Sequence, residues 1–297
     1  MKMTDETASA AERMEEFRKH MQVEESGLSE YLASLHFAPD PYQEEALERL
    51  ALGNSVLVAA PTGAGKTVVG EGAAYLARKQ GKRVFYTTPI KALSNQKLRD
   101  FRDRFGEDQV GLLTGDVTIN PDAPIMVMTT EVLRNMIYAG KDLSDLGVVV
   151  MDEVHYLSDK FRGPVWEEVL IQLPEHVNVV SLSATLSNSK EFGQWIESVR
   201  GDCDVVTSDV RPVPLYQHMM VGPKIYDLYA EPKKVARGGA TRRINPDLQA
   251  AIEETHFRRG RGDRPFKGRG KAKPAPVNHE RLLDDLNRKN LLPAILF

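Results

Sequence analysis

The chain carries a single cysteine, Cys203, among its 297 residues. An internal disulfide and a zinc site built on cysteines are therefore excluded. With no histidine-based partner indicated near it, the lone thiol reads as a small buried hydrophobe. Long apolar runs are also missing, so no membrane-spanning helix is expected. The first residues lack a signal-peptide core and are acidic instead, with Asp5, Glu6, Glu12, Glu15 and Glu16. These absences fit a reducing, cytoplasmic setting. A large net charge is absent as well. At a formal charge of −3, no whole-protein field attracts nucleic acid, and any such contact must come from local groups.

What is present is ordinary globular material. Hydrophobic residues make up 41% of the chain, enough for a sizeable core. The length fits one large domain or two ordinary ones. Residues 5–35 read as an accessory helical segment, and a helix over 41–52 stops at Gly53. A regular alternation then begins. Apolar runs at 55–60, 83–88, 125–129, 147–151, 177–183 and 204–207 alternate with amphipathic stretches at 66–80, 91–105, 130–139, 165–173 and 188–199. Valine-rich runs without polar alternation, separated by helices, predict an α/β fold: a mostly parallel sheet covered by helices on both faces. Ligands bind such sheets at the carboxyl ends of the strands. Residues 213–221 read as extended. Residues 222–280 read as a basic linker or insertion, and 281–290 as a helix leading into an apolar strand, L-L-P-A-I-L-F, at 291–297.

The segment A-P-T-G-A-G-K-T at 60–67 follows a strand and opens a helix. That is the context of a phosphate-binding loop. Pro61, Thr62, Gly63, Ala64 and Gly65 would form the nucleotide-binding loop, in which Gly63 and Gly65 let backbone N–H groups turn toward a polyphosphate and the helix N-terminus adds positive potential. Lys66 is placed to reach the β- and γ-phosphates of ATP, and Thr67 to offer its hydroxyl to Mg²⁺. M-D-E-V-H at 151–155 ends the run of valines. An acidic pair at the end of a buried strand needs a partner, and Mg²⁺ bound to ATP would be one. Asp152 would hold the metal through water, and Glu153 would orient and deprotonate the attacking water. His155 has no His or Cys cluster around it to make a metal site.

With these motifs in order, residues from about Phe37 to about Met220 resemble the DExH-box helicases of superfamily 2, whose motor domain is a RecA-like P-loop NTPase. The resemblance implies a role for each further motif. In F-A-P-D-P-Y-Q at 37–43, Gln43 would read the adenine edge, and Phe37 would pack on the base or serve as a core aromatic. Pro89, Lys91, Asn95 and Gln96 in T-T-P-I-K-A-L-S-N-Q, Gly115 and Asp116 in T-G-D, and Thr129, Thr130 and Glu131 in T-T-E resemble the segments that contact a single strand. S-A-T at 183–185 resembles the coupling motif, so Ser183 or Thr185 would bond the Asp152 and His155 region. D-K-F-R-G-P-V-W-E-E at 159–168, S-A-T-L-S-N at 183–188 and V-R-P-V-P-L at 210–215 are similar to superkiller-type RNA helicases, and D-E-V-H with the acidic N-terminus resembles their actinobacterial members. Arg162 and Trp166 read equally well as a coupling pair or as a surface charge and a core aromatic.

The resemblance implies an ATP- and Mg²⁺-dependent enzyme translocating on single-stranded RNA, 3′ to 5′. The alternatives are a DNA helicase or repair translocase, and an ATP-switched strand-binding module that does not unwind. The expected organisation is an accessory segment over 1–35, a RecA-like domain over 36–221, a linker over 222–280 and the start of a second RecA-like domain over 281–297. On this expectation the arginine finger lies in the missing domain, and the chain binds ATP but hydrolyses it slowly. The basic stretch 256–273, with Phe257 and Phe266, would track a nucleic-acid backbone or act as a solvated linker.

Overall fold

The computed structural model of the chain describes residues 10–184, 189–212, 217–221, 224–230, 243–260 and 279–288. It divides into two compact units, residues 1–214 and 215–297. The first unit is built on an eight-stranded sheet whose strands follow the apolar runs: β1 (Ser55–Ala59), β2 (Arg83–Thr88), β3 (Val110–Leu113), β4 (Thr118–Ile119), β5 (Ile125–Thr129), β6 (Leu146–Met151), β7 (Asn178–Ser183) and β8 (Cys203–Thr207). The sheet order is β4-β3-β5-β2-β6-β7-β1-β8, and only the β3–β4 pair is antiparallel.

Helices cover both faces, as the lack of polar alternation requires. α1 (Ala10–Glu25), α2 (Leu28–Ala33), α3 (Pro41–Ala51), α4 (Thr67–Lys79) and α5 (Lys91–Phe105) lie on one side. They share a core with Val56, Val58, Tyr86, Val150 and Leu182. α6 (Thr130–Tyr138), α7 (Gly163–Gln172) and α8 (Ser189–Arg200) close the other side around Leu57, Phe85, Val149 and Trp166. Trp166 is fully buried and stacks on Tyr156 at 6.0 Å, which settles it as a core aromatic. Cys203 packs beside the second core. Burial, reinforced by Asp204 and Glu197, pushes its thiol up to about 12, so it stays protonated and unreactive.

The second unit holds an antiparallel hairpin of β9 (His218–Val221) and β10 (Lys224–Asp227), α9 (Pro246–Gly260) packed on that hairpin, and α10 (His279–Arg288). α9 lies inside the stretch that composition marks as a linker, and it buries Leu248. Arginine and glycine dominate the average there and hide a helix that begins at Pro246, a favoured first-turn residue. Residues 261–278 and 291–297 lie outside the described residues. Among the described residues no helix is long and apolar enough to cross a membrane.

Candidate nucleotide site and strand-facing edge

The parallel order brings six of the motifs to one edge, because each begins at or just beyond the carboxyl end of a strand, whereas F-A-P-D-P-Y-Q leads into α3. Across the sheet the edge reads T-G-D after β3, T-T-E after β5, T-T-P after β2, D-E-V-H after β6, S-A-T at the end of β7 and the phosphate loop after β1. Two halves meet at the β2–β6 pair: β6, β7 and β1 lead into the motifs expected to handle phosphate, and β3, β5 and β2 into those expected to face a strand.

The loop 60–66 is held on both sides. Ala60 N donates to Ser183 O at 3.1 Å, which ties the loop to the end of β7. Gly63 and Gly65 sit at φ 82° and 85°, conformations that favour glycine. A Cβ on Gly63 would meet open space, whereas one on Gly65 would lie 2.7 Å from Gln43 Nε2. α3 braces the loop from outside: the Tyr42 hydroxyl donates to Ala64 O and Gln43 Nε2 donates to Gly65 O at 3.0 Å. Gln43 Oε1 accepts from Asp40 N at 2.8 Å, so this buried amide supports the loop and keeps one lone pair of its oxygen. Phe37 is 53% exposed and so is no core aromatic. Lys66 Nζ folds onto its own loop, donating to Ala60 O at 2.8 Å and Pro61 O at 3.1 Å. Burial lowers its pKa, Glu153 and Asp152 oppose that, and the Lys97 cation adds to the lowering.

The acidic pair is equally constrained. Asp152 N donates to Thr87 O at 2.9 Å. The Asp152 carboxylate accepts from Glu153 N through Oδ1 at 2.9 Å and from the fully buried Tyr86 hydroxyl through Oδ2 at 2.8 Å. Burial first, then Asp152, raises the Tyr86 pKa far above the usual phenol value, so this hydroxyl remains a donor. Glu153 has φ 52° and ψ 43°. A left-handed non-glycine residue is uncommon, and such strain clusters at functional sites. Glu153 Oε2 faces His155 Nδ1 at 3.2 Å, and neither atom has hydrogen-bond geometry to any partner. Among the described residues no group of three or more His, Cys, Asp or Glu side chains could cage a metal. One hydroxyl, Thr67, and one oriented carboxylate, Asp152, suit instead a hard cation that keeps water and phosphate oxygens in its shell, as Mg²⁺ does.

On the strand-facing half, Lys91 Nζ lies 2.7 Å from Asp116 Oδ1, and Thr114 Oγ1 donates to the same oxygen at 3.0 Å. The Lys91 hydrogen bond, then Thr114, holds the Asp116 carboxyl below its usual value. Gly115, Asn95 and Gln96 are exposed, while Pro89 is buried and its carbonyl accepts from Arg162 Nη1 at 3.3 Å. That contact draws Arg162 toward the end of β2, beyond the role of a free surface charge. Thr129 and Thr130 are buried, and Thr130 Oγ1 donates to Thr88 O at 3.4 Å. Glu131, in the first turn of α6, is half-buried. Thr185 lies outside the described residues. Sequence reading missed Tyr42, Tyr86 and Lys97. Each acts across elements, and the only signal was the adjacency of Tyr42 to Gln43 and of Lys97 to Gln96.

A family model described as DEAD/DEAH box helicase matches residues 40–192. "Probable helicase HelY" of Mycobacterium tuberculosis (strain ATCC 25618 / H37Rv) is 49% identical over 274 residues, covering 91% of this chain and 30% of that protein. "Superkiller complex protein 2" of Homo sapiens is 53% identical over 188 residues, covering 63% of this chain and 15% of that protein. The chain thus spans less than a third of the length of either relative. Among solved structures, the DUF1998 helicase MrfA bound to DNA is similar at TM-score 0.50 and 21% identity, over 61% of this chain and 29% of that one; this likeness speaks to the fold alone.

Proposed function

From the premise that the chain belongs to the DEAD/DEAH box helicase family, we propose that it is the ATP-binding RecA-like half of a superkiller-type RNA motor. The observation that carries this reading is the convergence, on one sheet edge, of the Ala60–Thr67 loop with the Asp152–Glu153 pair. ATP with Mg²⁺ supplies the transferable γ-phosphoryl group and the charge neutralisation that phosphoryl transfer needs. Lys66 leaves the Ala60 and Pro61 carbonyls for the β- and γ-phosphates. Thr67 and Asp152 hold the metal, and Tyr86 keeps Asp152 oriented. Glu153 positions a water and takes its proton. Phe37 offers a face for the adenine and Gln43 a free lone pair for its edge. Ser183, Thr185 and His155 report the chemistry to the strand-facing half. There Lys91, Asn95, Gln96, Gly115 and Asp116, with the segments at Pro89 and Thr129–Glu131, line the strand path, and Lys91, the side-chain amides and backbone N–H groups bond its phosphates.

Strand class is read by ATP turnover of the chain joined to a second RecA-like domain. Single-stranded RNA is expected to stimulate it more than single-stranded DNA of equal length, because an RNA reader gains contacts to 2′-hydroxyls. Equal or stronger stimulation by DNA supports a DNA translocase. Nucleotide binding that turns over with neither strand supports an ATP-switched module.

A further inference from the structure

The hydroxyl assigned to Mg²⁺ already has a partner. Lys97 Nζ donates to Thr67 Oγ1 at 2.8 Å. Lys97 comes from the second turn of α5, the helix whose first two turns also carry Lys91, Asn95 and Gln96. Its ammonium lies over the Tyr86 ring, 5.7 Å from the centroid. The hydroxyl of that ring donates to Asp152 Oδ2 at 2.8 Å. One cation therefore bonds the first metal-holding group directly and sits on the side chain that orients the second. No step assigned above uses it. An ammonium one hydrogen bond from Thr67 Oγ1 and a divalent cation on the same oxygen repel each other in a half-buried site.

Resting on the ATP-site reading, we propose that Lys97 is an internal cation that holds the Thr67 hydroxyl in the nucleotide-free protein and is displaced as Mg²⁺–nucleotide binds. It thereby sets the Mg²⁺ dependence of binding and ties the phosphate loop to the strand-facing helix α5.

The test is equilibrium binding of a fluorescent ATP analogue to the chain as it stands, titrated with free Mg²⁺. Lys97→Met is expected to lower the Mg²⁺ concentration at half-maximal enhancement by about tenfold, the scale of one charge-assisted hydrogen bond. Lys97→Gln, which keeps a polar head, is expected to shift it the same way should the methionine variant fold poorly. Arg104→Gln removes another α5 cation, one that bonds Ser34 and not Thr67, and it is expected to leave the midpoint in place. An unchanged midpoint in both Lys97 variants overturns the proposal. An equal shift in Arg104→Gln also overturns it, by assigning the effect to diffuse charge. Wild-type protein that binds no nucleotide at any Mg²⁺ concentration removes the ATP-site reading itself, a result distinct from either of these.

Discussion

Glu153→Gln is expected to leave Mg²⁺–ATP affinity within about threefold of wild type, because only transition-state contacts are lost. Turnover is expected to fall by about 10²–10⁴-fold, the usual contribution of a positioned general base. The substitution is nearly isosteric, so it tests proton acceptance more than shape. The backbone supports this assignment. Glu153 holds φ 52°, a conformation that costs a non-glycine residue on the order of 1–3 kcal/mol, and its Oε2 has no hydrogen-bond partner apart from facing His155 at 3.2 Å. A carboxylate held in a strained loop with an unbonded oxygen is poised for a water. The experiment belongs in the chain joined to a second RecA-like domain, where turnover is expected to be fast enough to measure a loss. Turnover unchanged by the substitution would assign the base elsewhere.

Joining the chain to a second RecA-like domain that carries an arginine finger is expected to raise ATP turnover by about 10³–10⁵-fold, the range measured for arginine fingers in other phosphoryl-transfer systems. On the proposed reading the cations of the chain's own site are already committed. Lys66, whose pKa burial lowers, is assigned to the phosphates, while Lys97 is bonded to Thr67. Charge that develops on the transferring group therefore needs another donor. Single-turnover assays on the chain and on the extended protein, at saturating Mg²⁺–ATP and with single-stranded RNA, read this ratio. A chain that turns over as fast as the extended protein would show that its own residues suffice.

The middle of the sheet was legible in the sequence because β1, β2, β5, β6 and β7 are buried on both faces over nearly all their length and so read as largely apolar runs. β2 and β5 match their expected bounds, and β1, β6, β7 and β8 differ by one residue at an end. β3 and β4 were not legible. V-G-L-L is four residues long and broken by Gly111, and β4 is only Thr118–Ile119; neither rises above loop composition. Gly111 is required where it stands, since a Cβ there would lie 2.2 Å from the Asn120 carbonyl oxygen. α9 was masked by its arginine-rich surroundings.

At the site, placement set by consecutive residues was readable. Lys66 and Thr67 follow their loop, and Asp152 and Glu153 follow their strand. Chemistry carried by contacts between elements was not. Thr67 and Lys97 lie thirty positions apart, and only the packing of α4 against α5 over β2 brings them together. Tyr86 and Asp152 are separated by 66 positions and are joined by the pairing of β2 with β6. Gln43 shows the same limit from the other side. The family pattern assigns it to the adenine, but its contacts with Asp40 N and Gly65 O make it a brace of the loop as well.

The account stands or falls on whether the Ala60–Thr67 loop binds nucleotide through Lys66. Calorimetric or fluorescence titration of the chain with Mg²⁺–ATP, wild type against Lys66→Ala, measures this directly. The account predicts saturable binding by the wild type that weakens by about 10²-fold or more in the variant, since a buried charge-assisted contact to phosphate is lost. Equal binding by both proteins, or none by the folded wild type, would contradict it.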